Sequence, residues 1–81
     1  MAPITLKTTT DMMSELVDWF GNDIDIIKTE GESITVRVDC NESAMRYWAL
    51  QYGPFVEVLK PESLREDIKR DIAAMAKKYG K

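Results

Sequence analysis

The sequence predicts an α+β fold, in which two β-α-β units share one antiparallel sheet and an additional helix follows. Three observations predict it. Four short stretches of the 81-residue chain have the alternating or isoleucine-rich pattern of strands. Three stretches with apolar residues at helical spacing lie between or after those strands. A Glu-Gly-Glu turn signal joins the second strand to the third.

The first half of the chain supplies a strand and a helix. Ile4 to Lys7 alternates apolar and polar residues, and Thr8 to Thr10 offers hydroxyl groups that can cap a helix. The apolar stripe from Met12 to Phe20 predicts an amphipathic helix of about ten residues. Gly21-Asn22 ends it, because glycine readily adopts the left-handed conformation of a helix C-terminus.

A hairpin and a second helix come next. Asp23 to Lys28 predicts a strand, and Glu30-Gly31-Glu32 predicts the turn. Ser33 to Asp39 has the clearest alternation in the chain and predicts the third strand. Asn41 is placed to cap a second helix, whose apolar face contains Met45, Trp48, Ala49 and Tyr52.

The last third of the chain contains a strand and a helix. Gly53-Pro54 ends the second helix, and Phe55 to Leu59 alternates like a strand. Pro61 breaks that strand, and Ser63 with Glu66 has the spacing of a capping box. The third helix has a five-residue apolar stripe: Leu64, Ile68, Ile72, Met75 and Tyr79.

This order of elements predicts a ferredoxin-like βαββαβ sandwich with an additional C-terminal helix. Two helices then cover one sheet face. The positions expected under them are Ile4, Leu6, Ile24, Ile26, Ile34, Val36, Val38, Val56 and Val58. The positions expected on the open face are Thr5, Lys7, Ile27, Thr35, Arg37, Phe55, Glu57 and Leu59. The third helix must fold back on this body or pack on a second chain, because an uncovered apolar stripe is an association surface.

The composition is that of one globular domain, which we expect to span residues 1–81 as a fragment of a longer protein. Residues 1–61 carry five basic and ten acidic side chains, whereas residues 62–81 carry six and four, and the net charge is −3. DNA binding by this segment alone is not expected, because it depends on neutralising phosphates. A single cysteine and the absence of a long apolar run predict a cytoplasmic protein that does not enter a membrane.

The residue types needed for most catalytic sites are missing. The chain has no histidine to act as a base, one cysteine cannot form a thiolate zinc site, and no glycine-rich phosphate loop is present. We therefore expect no enzymatic activity, no metal and no cofactor. Cys40, between a strand and a helix, is either a redox-sensitive thiol or a small core residue, and the core interpretation is favoured. Trp48 and Tyr52 are interpreted in the same way as core aromatics.

Six residues are candidates for contact with a partner or an effector: Arg37, Arg46, Arg65, Trp19, Phe55 and Leu59. The three arginines are chosen because a guanidinium group binds anions through a fork of donors. Trp19 lies just off the apolar stripe of the first helix, and tryptophan is enriched at interfaces. Phe55 and Leu59 form the apolar end of the open sheet face.

The second half of the chain carries a pattern of residues that is also known from a protein family. The pattern consists of Tyr52-Gly53, Glu57-Val58-Leu59, Pro61, Leu64-Arg65, Met75 and Tyr79. It resembles the WCX module, the C-terminal extension of WYL-domain bacterial transcription regulators. The resemblance covers essentially the whole chain and is strongest from Trp48 to Tyr79.

This resemblance implies a non-catalytic regulatory or dimerisation module that relays or gates effector binding. Its expected partners are the helix-turn-helix and WYL domains of the same regulator, and a second copy in a homodimer. DNA binding does not transfer, because the chain contains neither the DNA-binding part nor a Trp-Tyr-Leu motif. Two alternatives remain: a free-standing small-molecule sensor similar in idea to ACT-type domains, and an interaction domain without a pocket.

Overall fold

Strands and helices follow one another in an α+β order over the residues that the structure describes. The computed structural model describes residues 2–21 and 23–80. The elements are β1 (Ala2–Thr9), α1 (Met13–Phe20), β2 (Ile24–Glu30), β3 (Ser33–Cys40), α2 (Glu42–Tyr52), β4 (Glu57–Lys60) and α3 (Glu62–Tyr79). Single 3-10 turns, Thr10–Met12 and Gly53–Phe55, precede α1 and β4. The predicted α+β class is confirmed.

The four strands form one antiparallel sheet in the order β2-β3-β1-β4. The pairing of β1 with β3 places Ile4 opposite Val38 and Leu6 opposite Val36, so these four side chains share one face. Gly31 closes the β2–β3 hairpin with φ +61°, a conformation that glycine adopts without steric cost. β2 and β4 are the two edges of the sheet.

The core lies between one sheet face and the helices. Leu16 of α1 and Met45 and Trp48 of α2 are completely buried in the same cluster as the central strands. The other buried members of this cluster are Ile4, Leu6, Met12, Ile34, Val36, Val38, Cys40, Ala49, Val58 and Leu64. On the opposite face Lys7, Arg37 and Glu57 are exposed, so β1, β3 and β4 alternate in burial as the sequence predicts.

The two later helices begin in different ways. The Oδ1 atom of Asn41 accepts hydrogen bonds from the backbone N–H groups of Ser43 (2.8 Å) and Ala44 (3.2 Å), as expected of a capping residue. The capping box predicted at Ser63 and Glu66 is wrong. Pro61 occupies the capping position of α3 with extended backbone, and the helix begins at Glu62. Ser63 therefore lies inside the first turn, where its hydroxyl cannot act as the cap.

Phe55 was predicted in the fourth strand but lies in the turn before it. Gly53 has φ +28° and the Val56 N–H donates to the Gly53 carbonyl (3.3 Å), which closes a 3-10 turn. The Thr8 hydroxyl donates to the Phe55 carbonyl (2.6 Å) and holds this turn against the end of β1. The Phe55 side chain is consequently exposed at the rim, and β4 begins only at Glu57.

Ile26 is another corrected position, since it was expected under the helices and is exposed. β2 is an edge strand, and its pairing with β3 shifts register between Ile26 and Lys28. The helices pack on the central strands, so the edge beyond Ile24 receives little cover. Ile24 itself packs against the core, as predicted.

Candidate functional site

The last helix is only half covered by the domain. Leu64 is 2% exposed and belongs to the core, and Ile68 packs against it from the next turn. Further along, Ile72, Met75 and Tyr79 are 55%, 43% and 83% exposed. The predicted apolar stripe is therefore divided: its beginning is buried within the domain, and residues 72–79, here called the exposed half of α3, are not.

A groove of about 670 Å³ runs between α3 and the end of α2. Ile72, Met75 and Tyr79 line one wall, and Leu50 and Pro54 line the other. Val56 and Ile68 also line it, so its surface is mainly apolar. We call it the apolar groove. A cleft of this volume is within the range of ligand sites.

An arginine–aspartate pair fixes the angle at which α3 leaves the body. Nε and Nη2 of Arg46 on α2 donate to the two carboxylate oxygens of Asp71 on α3, at 2.6 and 2.7 Å. This two-pronged geometry gives orientation as well as attraction. The hydrogen bond with Asp71 raises the pKa of Arg46, and the same bond lowers the pKa of Asp71. Asp67, one turn earlier, lies 4.0 Å from Arg46 Nη1.

A second arginine attaches the first turn of α3 to the neighbouring strand. Nη1 of Arg65 donates to the Glu57 carboxylate and to the Val58 carbonyl, both at 2.8 Å. Arg65 therefore joins α3 to β4, and it also lines the apolar groove. Arg46, which pairs with Asp71 at the middle of the helix, and Arg65 together attach α3 to the domain up to the start of its exposed half.

Acid is expected to weaken the contact between α2 and α3. Because the pKa of Asp71 is lowered in the folded chain, its ionised form stabilises the fold above the pKa of the unfolded chain, about 3.9. That contribution is lost as the pH falls through the lower folded pKa. In urea unfolding, Asp71→Asn should be less stable than the wild type at pH 7, and the difference should shrink below about pH 4. A difference that does not change with pH would contradict this, and Glu66→Gln on the same helix is the matched control.

The structure brings three of the six predicted contact residues together. Arg37, Arg65 and Leu59 line one shallow depression on the open sheet face, and Lys60 adds a third cationic group there. Arg37 is paired with Asp25 (3.1 Å), and Arg65 is paired as described above. These arginines already have carboxylate partners, so the depression has less free positive charge than its three cations suggest.

The other three predicted residues lie apart from that depression. Arg46 joins α2 to α3 through its pair with Asp71, so its guanidinium group already has a carboxylate partner within the domain. Trp19 on α1 is 55% exposed, and Phe55 is exposed at the rim of its turn. The six candidates therefore do not form one site. Their role in contacting a partner or an effector stays a prediction.

The aromatic pair on α2 belongs to the core. Trp48 is fully buried, with the Phe20 ring edge-on at 5.4 Å and the Tyr52 ring at 5.0 Å between centroids. The Tyr52 hydroxyl reaches the rim and donates to Glu15 (2.9 Å), a bond that raises the pKa of Tyr52. These contacts support the structural interpretation of both aromatics.

Cys40 is buried at the end of β3, and burial raises the pKa of its thiol to about 11, with Asp39 and Glu42 adding to the effect. Roughly one thiol in a thousand is then ionised at pH 8, and only the thiolate is a nucleophile. We expect Cys40 to react slowly with Ellman's reagent in the folded chain and rapidly in denaturant. Fast reaction under native conditions would restore the redox interpretation.

Residues 2–21 and 23–80 contain neither a metal-binding cluster nor a helix that could span a membrane. No group of three or more acidic, cysteine or histidine side chains there is arranged to hold a metal ion. No helix among them is both long enough and apolar enough to cross a membrane. The acidic residues of β2 and its turn, among them Asp25 and Glu30, are exposed.

The list of six candidates omitted the residues that build the apolar groove. Pro54 is predicted only to stop α2, Ile72 and Met75 belong to a stripe with an undetermined partner, and Leu50 has no predicted role. The signal was present in the stripe of α3, which is too long to be buried by a body of this size. The opposite wall could not be found, because it depends on how α3 lies against α2.

Comparison with known proteins places this arrangement in a family. The family model for the WCX domain matches residues 2–76, which include the sheet, both crossover helices and most of α3. No curated protein matches the chain. The WCX domain is associated with WYL-type transcription regulators. The match begins at β1, so it includes the first half of the chain as well as the second half, where the resemblance is strongest. The chain belongs to the WCX domain family.

Proposed function

We propose that this chain is a non-catalytic regulatory and dimerisation module of a bacterial WYL-type transcription regulator, with helix-turn-helix and WYL domains as its intrachain partners. Its family supports the general setting. We also propose that its architecture is ferredoxin-like, because each β-α-β crossover leaves room for one antiparallel strand between its two strands.

The observation that carries the dimerisation role is the exposed half of α3. Ile72, Met75 and Tyr79 project beside an apolar groove, and an apolar surface of this kind usually marks an association site. The groove is lined by side chains from α2 and α3 together. The fit of any partner in the groove therefore depends on the angle between α2 and α3, which the Arg46–Asp71 pair sets.

Regulation would follow from differential contacts. If an effector bound to the regulator favours one arrangement of two modules over another, the population shifts by the difference in binding free energy. The module relays the effector signal without touching DNA, which agrees with its net charge of −3. DNA recognition belongs to the helix-turn-helix domain in this proposal.

Light scattering across a concentration series tests the proposal. We expect the molar mass to rise from that of the 9.3 kDa chain towards twice that value as the concentration increases. If the molar mass remains that of a single chain up to about millimolar concentration, the dissociation constant is weaker than about 1 mM. That result would rule out autonomous dimerisation. The module would then contribute only through contacts within its own regulator.

A second candidate function is a small-molecule sensor similar to ACT-type domains. The observation in its favour is the volume of the apolar groove, about 670 Å³, which suits a small organic ligand. Titration with 1-anilino-8-naphthalenesulfonate, an aromatic dye that carries one sulfonate group, distinguishes the sensor from the dimerisation module. A sensor should bind it with one saturable site in both monomer and dimer, whereas a groove filled by a second copy should lose the dye as the dimer forms.

A further inference from the structure

Thr8 occupies a position of β1 that the alternation of the strand assigns to the core. The buried residues of β1 are Ile4, Leu6 and Thr8, and Thr8 is 4% exposed. Ile34, its partner in β3, lies on the same face of the sheet and belongs to the apolar core. Valine has nearly the shape of threonine without the hydroxyl group, and a buried hydroxyl group costs free energy unless it is hydrogen-bonded. The hydroxyl group of Thr8 therefore needs a partner.

That partner lies in the turn before β4. The Thr8 hydroxyl group donates to the Phe55 carbonyl group at 2.6 Å, although the two residues are 47 positions apart in the sequence. The carbonyl group belongs to the Gly53–Phe55 turn, which contains no buried residue. Inside the turn, the Val56 N–H donates to the Gly53 carbonyl group at 3.3 Å, which is long for a bond of this kind. Thr8 therefore attaches a weakly closed turn to the end of β1.

The same turn forms part of one wall of the apolar groove. Gly53 and Pro54 line the groove on this side. On the other side, the Arg46–Asp71 pair fixes α3 against α2. Each wall is thus held in place by a polar contact to another element of the fold. Thr8 does not line the groove itself, so it acts on an occupant only through the position of the turn.

We propose that Thr8 is a positioning residue of the apolar groove, which holds the wall formed by Gly53 and Pro54 in place before a ligand binds. This inference rests on the second candidate function, a small-molecule sensor that binds its ligand in the groove. A site that is already formed binds more tightly, because no part of the binding free energy is used to order it. Thr8 thus contributes to affinity without touching the ligand.

Titration with 1-anilino-8-naphthalenesulfonate, at protein concentrations where the chain is monomeric, measures this contribution. We expect Thr8→Val to raise the Kd of the dye by about threefold or more, because the loss of one hydrogen bond lets the turn move. Thr8→Ser keeps the donor and should bind the dye as the wild type does. Circular dichroism checks that each variant is folded, because this dye also binds loosely packed states. An equal loss of affinity in Thr8→Ser and Thr8→Val would overturn the role of the hydroxyl group.

Ile34→Val is the matched control for lost stability. Ile34 lies opposite Thr8 in β3 and is 3% exposed, but it does not line the groove. Removal of a methyl group from this buried side chain lowers the free energy of unfolding, and it should leave the Kd of the dye unchanged. A similar loss of affinity in Ile34→Val and Thr8→Val would mean that Thr8 acts only through the stability of the domain, which overturns its positioning role.

Amide hydrogen exchange tests the turn without any ligand. The Val56 N–H closes the turn, so its exchange should become faster in Thr8→Val relative to the exchange of the β3 amides, which report the opening of the whole domain. In Ile34→Val, the exchange of Val56 should change only in proportion to that of β3. If the ratio of these rates is the same in Thr8→Val and the wild type, Thr8 does not hold the turn.

The outcomes separate this inference from the sensor function on which it rests. A wild-type chain without a saturable dye site overturns the sensor function and the positioning role of Thr8 together. Saturable binding with the same Kd in the wild type and in Thr8→Val overturns the positioning role and leaves the sensor function standing. A higher Kd in Thr8→Val, with wild-type affinity in Thr8→Ser and Ile34→Val, supports both.

Discussion

Trp48→Ala is expected to lower the free energy of unfolding by about a quarter or more. Trp48 is completely buried between α1, α2 and the sheet. Truncation of a buried tryptophan typically costs about 3 to 5 kcal/mol, because apolar burial is lost and a cavity remains. A chain of this length has a free energy of unfolding of only about 4 to 12 kcal/mol. Urea unfolding followed by circular dichroism measures the difference.

The chain provides its own control for that experiment. Trp19, the other tryptophan, is 55% exposed. Trp19→Ala should cost less than half as much as Trp48→Ala, because little area returns to water. In Trp48→Ala, Trp19 remains as the fluorescent reporter of α1. Equal losses of unfolding free energy in the two variants would contradict the larger contribution to stability that the burial of Trp48 indicates.

Leu64→Ala is expected to have the second largest effect, about 2 to 5 kcal/mol. Leu64 is the one residue of α3 that the described structure buries completely, at 2% exposure. Without it, the helix would be attached chiefly by Ile68 and by the pairs that Arg46 and Arg65 form. We expect loss of helical signal at 222 nm at lower urea than the loss of the near-ultraviolet signal of Trp48. Hydrogen exchange should then be fast along α3 and slow in β1 and β3.

Ile72→Ala is the matched control on the same helix. It removes an aliphatic side chain that is 55% exposed, so the free energy of unfolding should change by less than about 0.5 kcal/mol at concentrations where the chain is monomeric. At higher concentration the same substitution weakens the proposed dimer. A large monomer effect at Ile72 with none at Leu64 would mean that α3 is docked by its other half.

Local sequence signals predicted the elements well where one physical rule dominated. Alternation in β3 and the cap at Asn41 behave as predicted, because side-chain direction in a strand and the free N–H groups of a first helical turn depend on neighbouring residues only. The errors arise where two local rules compete. At Phe55 the turn made by Gly53 and Pro54 prevailed over strand alternation, and at Ser63 the proline cap prevailed over the capping box.

The candidate site was less predictable for a physical reason. Arg46 was considered as a ligand contact, but its partner Asp71 is 25 residues away and becomes adjacent only when α3 lies along α2. Arg37 and Arg65 were chosen for their chemistry, and the structure shows that both are already paired with carboxylates. Chemistry selects residue types, whereas pairing depends on distances that no local pattern contains.

The sequence by itself determined the class of fold, the core residues of the central strands and the buried role of Trp48, because periodicity and burial propensity act over short distances. It also showed that α3 carries an apolar stripe. Only the tertiary structure decided where that stripe is divided. The body ends at the edge strand β4, so it covers Leu64 and Ile68 and leaves Ile72, Met75 and Tyr79 beside the apolar groove.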